Sequence, residues 1–156
     1  MTATPPAVGE PFPVEALEAT GADLSGPVVV YFYPEDDLAT EQPTTCSRQA
    51  MALNQRYGEL LEAGVRLVGI STDDLDSHQR FAAQHGLRFP LASDPGGELL
   101  GRAGLLKDFG EFGVLADRVT YLIDGDGIVR NVWHVTDVEG HPDEVLAAAR
   151  ALGGGA

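Results

Sequence analysis

The sequence predicts an α/β fold in which a mixed central sheet carries helices on both faces, and three observations lead to it. An apolar run from Val28 to Tyr33, bounded by Gly26-Pro27 and Pro34, has the length and β-branched content of a buried strand. A second run, Val65 to Ser71, follows one helical stretch, and strand, helix, strand at this spacing implies a parallel pair joined by a crossover. Two further runs, Arg118 to Ile123 and Ile128 to Val135, are joined through Asp124-Gly125-Asp126-Gly127, which is hairpin chemistry.

The remaining elements follow in order. From about Thr45, Ala50, Leu53, Tyr57 and Leu60 or Leu61 recur at three- and four-residue steps up to Gly64, a C-terminal stop, so Cys46 falls in the first helical turn. Asp76-Ser77 reads as the cap of a helix that carries Phe81 and stops at Gly86. A short strand at Phe89 to Leu91, a turn at Asp94-Pro95-Gly96-Gly97 and a helix from about Glu98 come next. The last helix has Pro142 at its first position, Asp143 and Glu144 in its first turn, and runs through Val145, Leu146 and Leu152 to Gly153. The sum, βαβ, a helix, then ββα, is a thioredoxin-like arrangement. No break in composition divides the chain, so 1–156 reads as one domain with its core at about 9–152; the residues before Glu10 and the GGGA tail are expected to be disordered.

Charge excludes some functions. Ten Lys plus Arg against 24 Asp plus Glu give a net charge of −14, a field that repels phosphate backbones and anionic lipid, so neither nucleic acid nor membrane is expected as a partner. The N-terminus MTATPPAVGEPFP lacks the charged head and apolar run of a signal peptide, and no apolar segment approaches the roughly 18 residues of a membrane span. A cytoplasmic location is expected.

Cys46 is the only cysteine. It can form neither an intrachain disulfide nor a multi-cysteine zinc site, and without Cys-x-x-Cys a dithiol oxidoreductase is excluded. A thiol at a helix start beside an arginine is activated, because both favour the anion; a free thiol of pKa about 8.5 can fall by about two units there. Arg118, opening a strand in a chain short of cations, is the candidate partner. The residues alone leave open a packed, inert thiol and a snorkelling strand-end arginine.

Three stretches carry a resemblance. VVVYFYPEDD followed by a cysteine that leads a helix, VGISTDDLDSHQRFAAQHGLRFPLASDPGGEL, and RVTYLIDGDGIVRNVWHV with HPDEVLAAAR behind it are similar, in this order, to the peroxiredoxins of the bacterioferritin-comigratory-protein or PrxQ type. The resemblance implies a thiol peroxidase with Cys46 as the peroxidatic residue, Arg118 as its cation, a threonine as a further donor, and no cofactor. Gln49 occupies a place where this subfamily often has glutamate or glutamine, and its amide can orient Arg118; the alternative is an ordinary exposed helix residue. Tyr33, at the end of its strand, is expected either to line the peroxide pocket or to serve the core.

This sequence also departs from the pattern. The family usually places its threonine three residues before the cysteine and a proline four residues before that threonine. Here Pro43 stands three before Cys46, Thr44 two before, and Pro34 twelve before, with five extra residues, Leu38 to Gln42, between. The threonine role falls to Thr44, with Thr45 and Thr40 as rivals, and Pro34 is the candidate proline. The extra residues are expected to form a mobile loop beside the pocket. Many relatives carry a resolving cysteine five positions on, but that position is Met51. The implied reductant of a Cys46 sulfenic acid is therefore external, a thioredoxin-type protein or a low-molecular-weight thiol, and the expected state is a monomer, or a weak dimer as in the wider family. A peroxide sensor or a non-catalytic thioredoxin-like interaction module is the alternative function. His78, His85, His134 and His141 share no two-ligand spacing, and Asp124 and Asp126 lack the rest of an EF-hand loop, so no metal is expected.

Overall fold

A computed structural model describes residues 4–36 and 45–154. The elements, in chain order, are helix α1 (Val14–Ala19), strand β1 (Val28–Phe32), helix α2 (Thr45–Glu62), strand β2 (Arg66–Ser71), helix α3 (Leu75–His85), strand β3 (Leu91–Ser93), helix α4 (Glu98–Arg102), strand β4 (Leu106–Asp108), a 3₁₀ turn at Gly110–Phe112, strands β5 (Val114–Ala116), β6 (Val119–Ile123) and β7 (Val129–His134), and helix α5 (His141–Gly154).

The central sheet has the order β3-β2-β1-β6-β7. β1 pairs parallel with β2 and antiparallel with β6, in the registers Val30↔Val68 and Phe32↔Val119. All five β1 residues are buried because both sheet faces are covered, which is why the strand is a continuous apolar run rather than an alternating one. Val28, Val30 and Phe32 face one layer with Leu17 of α1 and Leu99 and Leu100 of α4. Val29 and Tyr31, with Tyr33 beyond the strand, face the other, with Cys46, Ala50 and Leu53 of α2, Phe81 of α3 and Val145 of α5. The period-two alternation of a strand thus sends Tyr31 and Tyr33 to the thiol-bearing side. The thioredoxin-like fold read from the sequence is the fold observed.

Several local readings need correction. The cap of α3 is Asp74, not Asp76-Ser77: its side chain accepts from the Ser77 backbone N–H at 2.8 Å, the three-residue reach that a capping carboxylate needs. Gly86, in the left-handed conformation, ends that helix as expected. β3 lies at Leu91–Ser93 rather than Phe89–Leu91, since its parallel pairing to Gly69–Ser71 sets its span. α5 begins at His141, one residue before Pro142, and continues through Gly153 and Gly154, part of the tail read as disordered. Of the stretch before Glu10, Pro6 and Gly9 are bonded to the sheet: Gly9 N–H donates to the Val129 carbonyl at 2.8 Å, and the Tyr121 hydroxyl donates to the Pro6 carbonyl at 3.1 Å. The Asp124–Gly127 hairpin stands, with Asp124 Oδ1 accepting from the N–H groups of Asp126 and Ile128.

Candidate active site

Cys46 is the second residue of α2, where backbone N–H groups have no helical acceptor and the helix dipole favours an anion. It is 5% exposed. Arg118 directly precedes β6, and antiparallel pairing of β6 to β1 delivers it to the same end of the sheet. Its Nη2 donates to Cys46 Sγ at 3.0 Å, and its Nη1 donates to Gln49 Oε1 at 2.6 Å. Cys46 and Gln49, three residues apart, share one helix face, so one planar fork spans both. The orientation of the Gln49 amide follows from chemistry: guanidinium has only donors, so the oxygen must face it. Gln49 is fully buried rather than an ordinary exposed helix residue, and its Nε2 has no hydrogen-bond partner among the described residues.

The other expected site residues fall out as follows. Pro34 joins Arg118, Lys107, Phe109 and His134 in the walls of a cleft of about 380 Å³. A larger cleft, about 480 Å³, lies between α1 and α4 on the opposite side of the sheet and holds no thiol, so size does not locate the chemistry. Tyr33 takes the core role: it is 1% exposed, and its hydroxyl donates to Asp36 Oδ1 at 2.6 Å. Burial, then the neighbouring Tyr31 and Asp36, hold that phenol well above its ordinary range. Thr45 is exposed at the first position of α2. Thr40, Pro43, Thr44 and the extra residues Leu38 to Gln42 lie outside the described residues.

Two features were not found by sequence reasoning. The Tyr31 ring lies under the site, fully buried, with a hydroxyl that has no hydrogen-bond partner among the described residues. Burial first, then the charges of Cys46 and Asp36, push its ionisation well above the ordinary range, against the pull of Arg118, so it stays a neutral donor. The second is a buried polar cluster at the ends of β1 and β2. Asp36 Oδ2 meets His78 Nδ1 at 2.7 Å and accepts from the Ser77 hydroxyl at 2.8 Å, while the Asp36 N–H donates to Asp73 Oδ2 at 2.7 Å. The only sequence signal was polarity at the ends of apolar runs, which does not name partners. Among the described residues no cluster of three or more His, Cys, Asp or Glu could hold a metal, and no helix is long and apolar enough to cross a membrane.

Fold and site together define a class: a thioredoxin-like protein whose single helix-start thiol is paired with an arginine rather than with a second cysteine. Comparison with known proteins gives the family. The AhpC/TSA family model matches residues 13–132, and the chain belongs to that family. It is 38% identical over 154 residues to the chloroplastic peroxiredoxin Q of Sedum lineare, covering 96% of this chain and 77% of that one. It is 38% identical over 128 residues to the peroxiredoxin Bcp of Xanthomonas campestris pv. campestris, covering 80% and 76%. A solved structure of Xanthomonas campestris bacterioferritin comigratory protein, described in terms of its alkyl peroxide reduction activity, superposes with a TM-score of 0.71 at 32% identity, covering 83% of this chain and 81% of that one. The chain is thus a peroxiredoxin of the Q/Bcp type, a thiol peroxidase family acting on hydroperoxides.

Proposed function

We propose that the chain reduces hydroperoxides by a one-cysteine cycle on Cys46. The observation that carries this reading is the 3.0 Å approach of Arg118 Nη2 to Cys46 Sγ at the start of α2. A charge-assisted donor at that distance favours thiolate over thiol, and the thiolate is the nucleophile. It attacks the terminal oxygen of the hydroperoxide; the S–O bond forms, the O–O bond breaks, and the leaving oxygen takes a proton to depart as water or an alcohol. Sulfur is oxidised to sulfenic acid and the peroxide is reduced. Donors already in place for the charge on the leaving oxygen lower the barrier most. Arg118 and the backbone N–H groups at the start of α2 supply them, with the hydroxyl of Thr44 as the further donor the family pattern asks for.

Reduction needs a second thiol, and the chain has none. An external thiol attacks the sulfenic sulfur, water leaves, and a mixed disulfide forms; a second thiol equivalent attacks that disulfide and restores Cys46. Such a cycle suits a reducing compartment such as the cytoplasm. The cleft beside Arg118, with Pro34 and Phe109 in its walls, offers apolar surface for the organic part of an alkyl hydroperoxide. Single-turnover oxidation by hydrogen peroxide and by a bulky organic hydroperoxide tests the reading. Both should exceed the rate of free cysteine by orders of magnitude, and a rate no better than free cysteine overturns it. Intact mass after one equivalent of peroxide should show a monomer with one added oxygen that becomes an adduct when a thiol is supplied. A stoichiometric disulfide-linked homodimer would overturn the one-cysteine cycle.

A further inference from the structure

Asp36 is the last described residue before 37–44, and the next described residue, Thr45, opens the helix that bears Cys46. At this point the chain is fastened by four bonds to three other parts of the fold. Its N–H goes to Asp73 in the β2–α3 turn, and its carboxylate accepts from Ser77 of α3, from Tyr33 and from His78. The His78 and Asp36 side chains are 3% and 0% exposed. Such a pair needs a structural or functional reason, because burying an acid and a base costs more than an apolar pair of the same size.

The proton count of the pair follows from its partners. His78 Nε2 faces the Ala92 carbonyl of β3 at 2.9 Å, an acceptor only, so Nε2 carries a hydrogen. Nδ1 faces Asp36 Oδ2 at 2.7 Å, and both Asp36 oxygens already accept, from Tyr33 and from Ser77. One more proton must therefore lie between Nδ1 and Oδ2, which makes the ring an imidazolium against a carboxylate. The other groups facing His78 are the Tyr33 hydroxyl at 3.3 Å and the charge of Asp73. Loss of that proton leaves a lone pair against a buried carboxylate, and the contact turns repulsive.

The pair reaches the thiol through packing. Tyr33, bonded to Asp36, stacks on Tyr31 at 5.2 Å and on Phe81 at 6.1 Å between ring centroids, and both tyrosines share the cluster that holds Cys46 and Ala50 of α2. Pro34, between Tyr33 and Asp36, lines the cleft with Arg118.

We propose that Asp36 and His78 form a proton-held clasp that positions the thiol site, so that loss of one proton as pH rises loosens Cys46 and slows peroxide reduction. The inference rests on the peroxidase reading of Cys46, and neither residue touches the reacting atoms. Burial alone would lower the His78 pKa, but the hydrogen bond and charge of Asp36 outweigh it and raise it, which puts the release above the ordinary histidine range.

The test uses the full chain and two variants. In the wild type, kcat/KM for hydrogen peroxide should fall on a one-proton alkaline limb. His78→Gln should lower kcat/KM about 10- to 100-fold at neutral pH, the usual consequence of stranding a buried charge. Asp36→Asn is the conservative rescue: its amide can donate to a neutral His78 Nδ1 while its oxygen still accepts from Tyr33. It should keep the neutral-pH rate within about threefold and lose the alkaline limb. Proton–nitrogen NMR should show hydrogens on both His78 ring nitrogens in the wild type and on Nε2 alone in Asp36→Asn. Alkylation of Cys46 by iodoacetamide needs no peroxide chemistry, and it should accelerate above the transition in the wild type but not in Asp36→Asn. An alkaline limb unchanged in Asp36→Asn, a single ring hydrogen in the wild type, or equal alkylation profiles would each overturn the clasp. Absence of peroxide turnover with the alkylation difference intact would overturn the peroxidase reading alone.

Discussion

Arg118 Nη1 donates to Gln49 Oε1 at 2.6 Å, inside a site where Gln49 is fully buried. This bond aims the guanidinium whose other nitrogen meets Cys46. Gln49→Leu should remove the aim while keeping the volume. A hydrogen bond to a charged group contributes about 1.5–3 kcal/mol, so the second-order rate of Cys46 oxidation should fall about 10- to 100-fold. In a double-mutant cycle with Arg118→Ala the two losses should be strongly non-additive, because Gln49 acts through Arg118. Additive losses, measured by stopped-flow oxidation, would contradict this.

Arg118→Lys tests the fork itself. One ammonium cannot bridge Cys46 and Gln49 as two planar nitrogens do, so the substitution should lose most of the activity although the charge is kept. Thiolate ultraviolet absorbance at neutral pH should fall in parallel. A variant that retains wild-type oxidation rate would show that charge alone suffices.

Gly69, paired with Tyr31 across β1 and β2, has no room for a side chain: a Cβ there would stand 2.6 to 2.8 Å from Cε1, Cζ and Oη of the Tyr31 ring. That ring is buried among Tyr33, Phe89 and the α2 residues and cannot swing to solvent. Gly69→Ala should therefore cost about 1–3 kcal/mol of overpacking. The urea midpoint should drop with little change in m, and peroxide oxidation should slow because the displaced ring lies in the layer that holds Cys46.

Stability should also decline in mild acid, through His141. Its Nε2 lies 3.0 Å from the Thr120 hydroxyl in a buried site, and burial, partly opposed by Asp137, lowers its pKa from 6.5 to about 4. The unfolded chain thus takes up the proton before the folded one does. Stability is fully present above the unfolded value, declines as pH falls below it, and levels off near the folded one. The loss is on the order of 3 kcal/mol. His141→Asn, which cannot be protonated, should flatten this part of the stability profile in chemical denaturation. His78 has the opposite sign: its raised pKa gives stability that is present below the ordinary histidine value and lost as pH rises through the folded one.

The sequence by itself determined the elements that are long enough to show a period or are punctuated by Gly and Pro. β1, α2, β2, the Asp124–Gly127 hairpin and α5 are all legible there, and with them the thioredoxin-like order and a lone thiol at a helix start. α1, β4 and β5, of six, three and three residues, were missed, because so few positions establish no repeat and only packing holds them. The resemblance named Arg118; the residues alone left it a strand-end cation. Only the tertiary structure decided that its fork spans Cys46 and Gln49, since that depends on the antiparallel register of β6 on β1, which brings together groups 72 positions apart. No local pattern pairs Asp36 with His78, 42 positions apart. Burying such a pair is costly unless every polar group finds a partner, and where those partners stand is a property of the packed fold rather than of any stretch of chain.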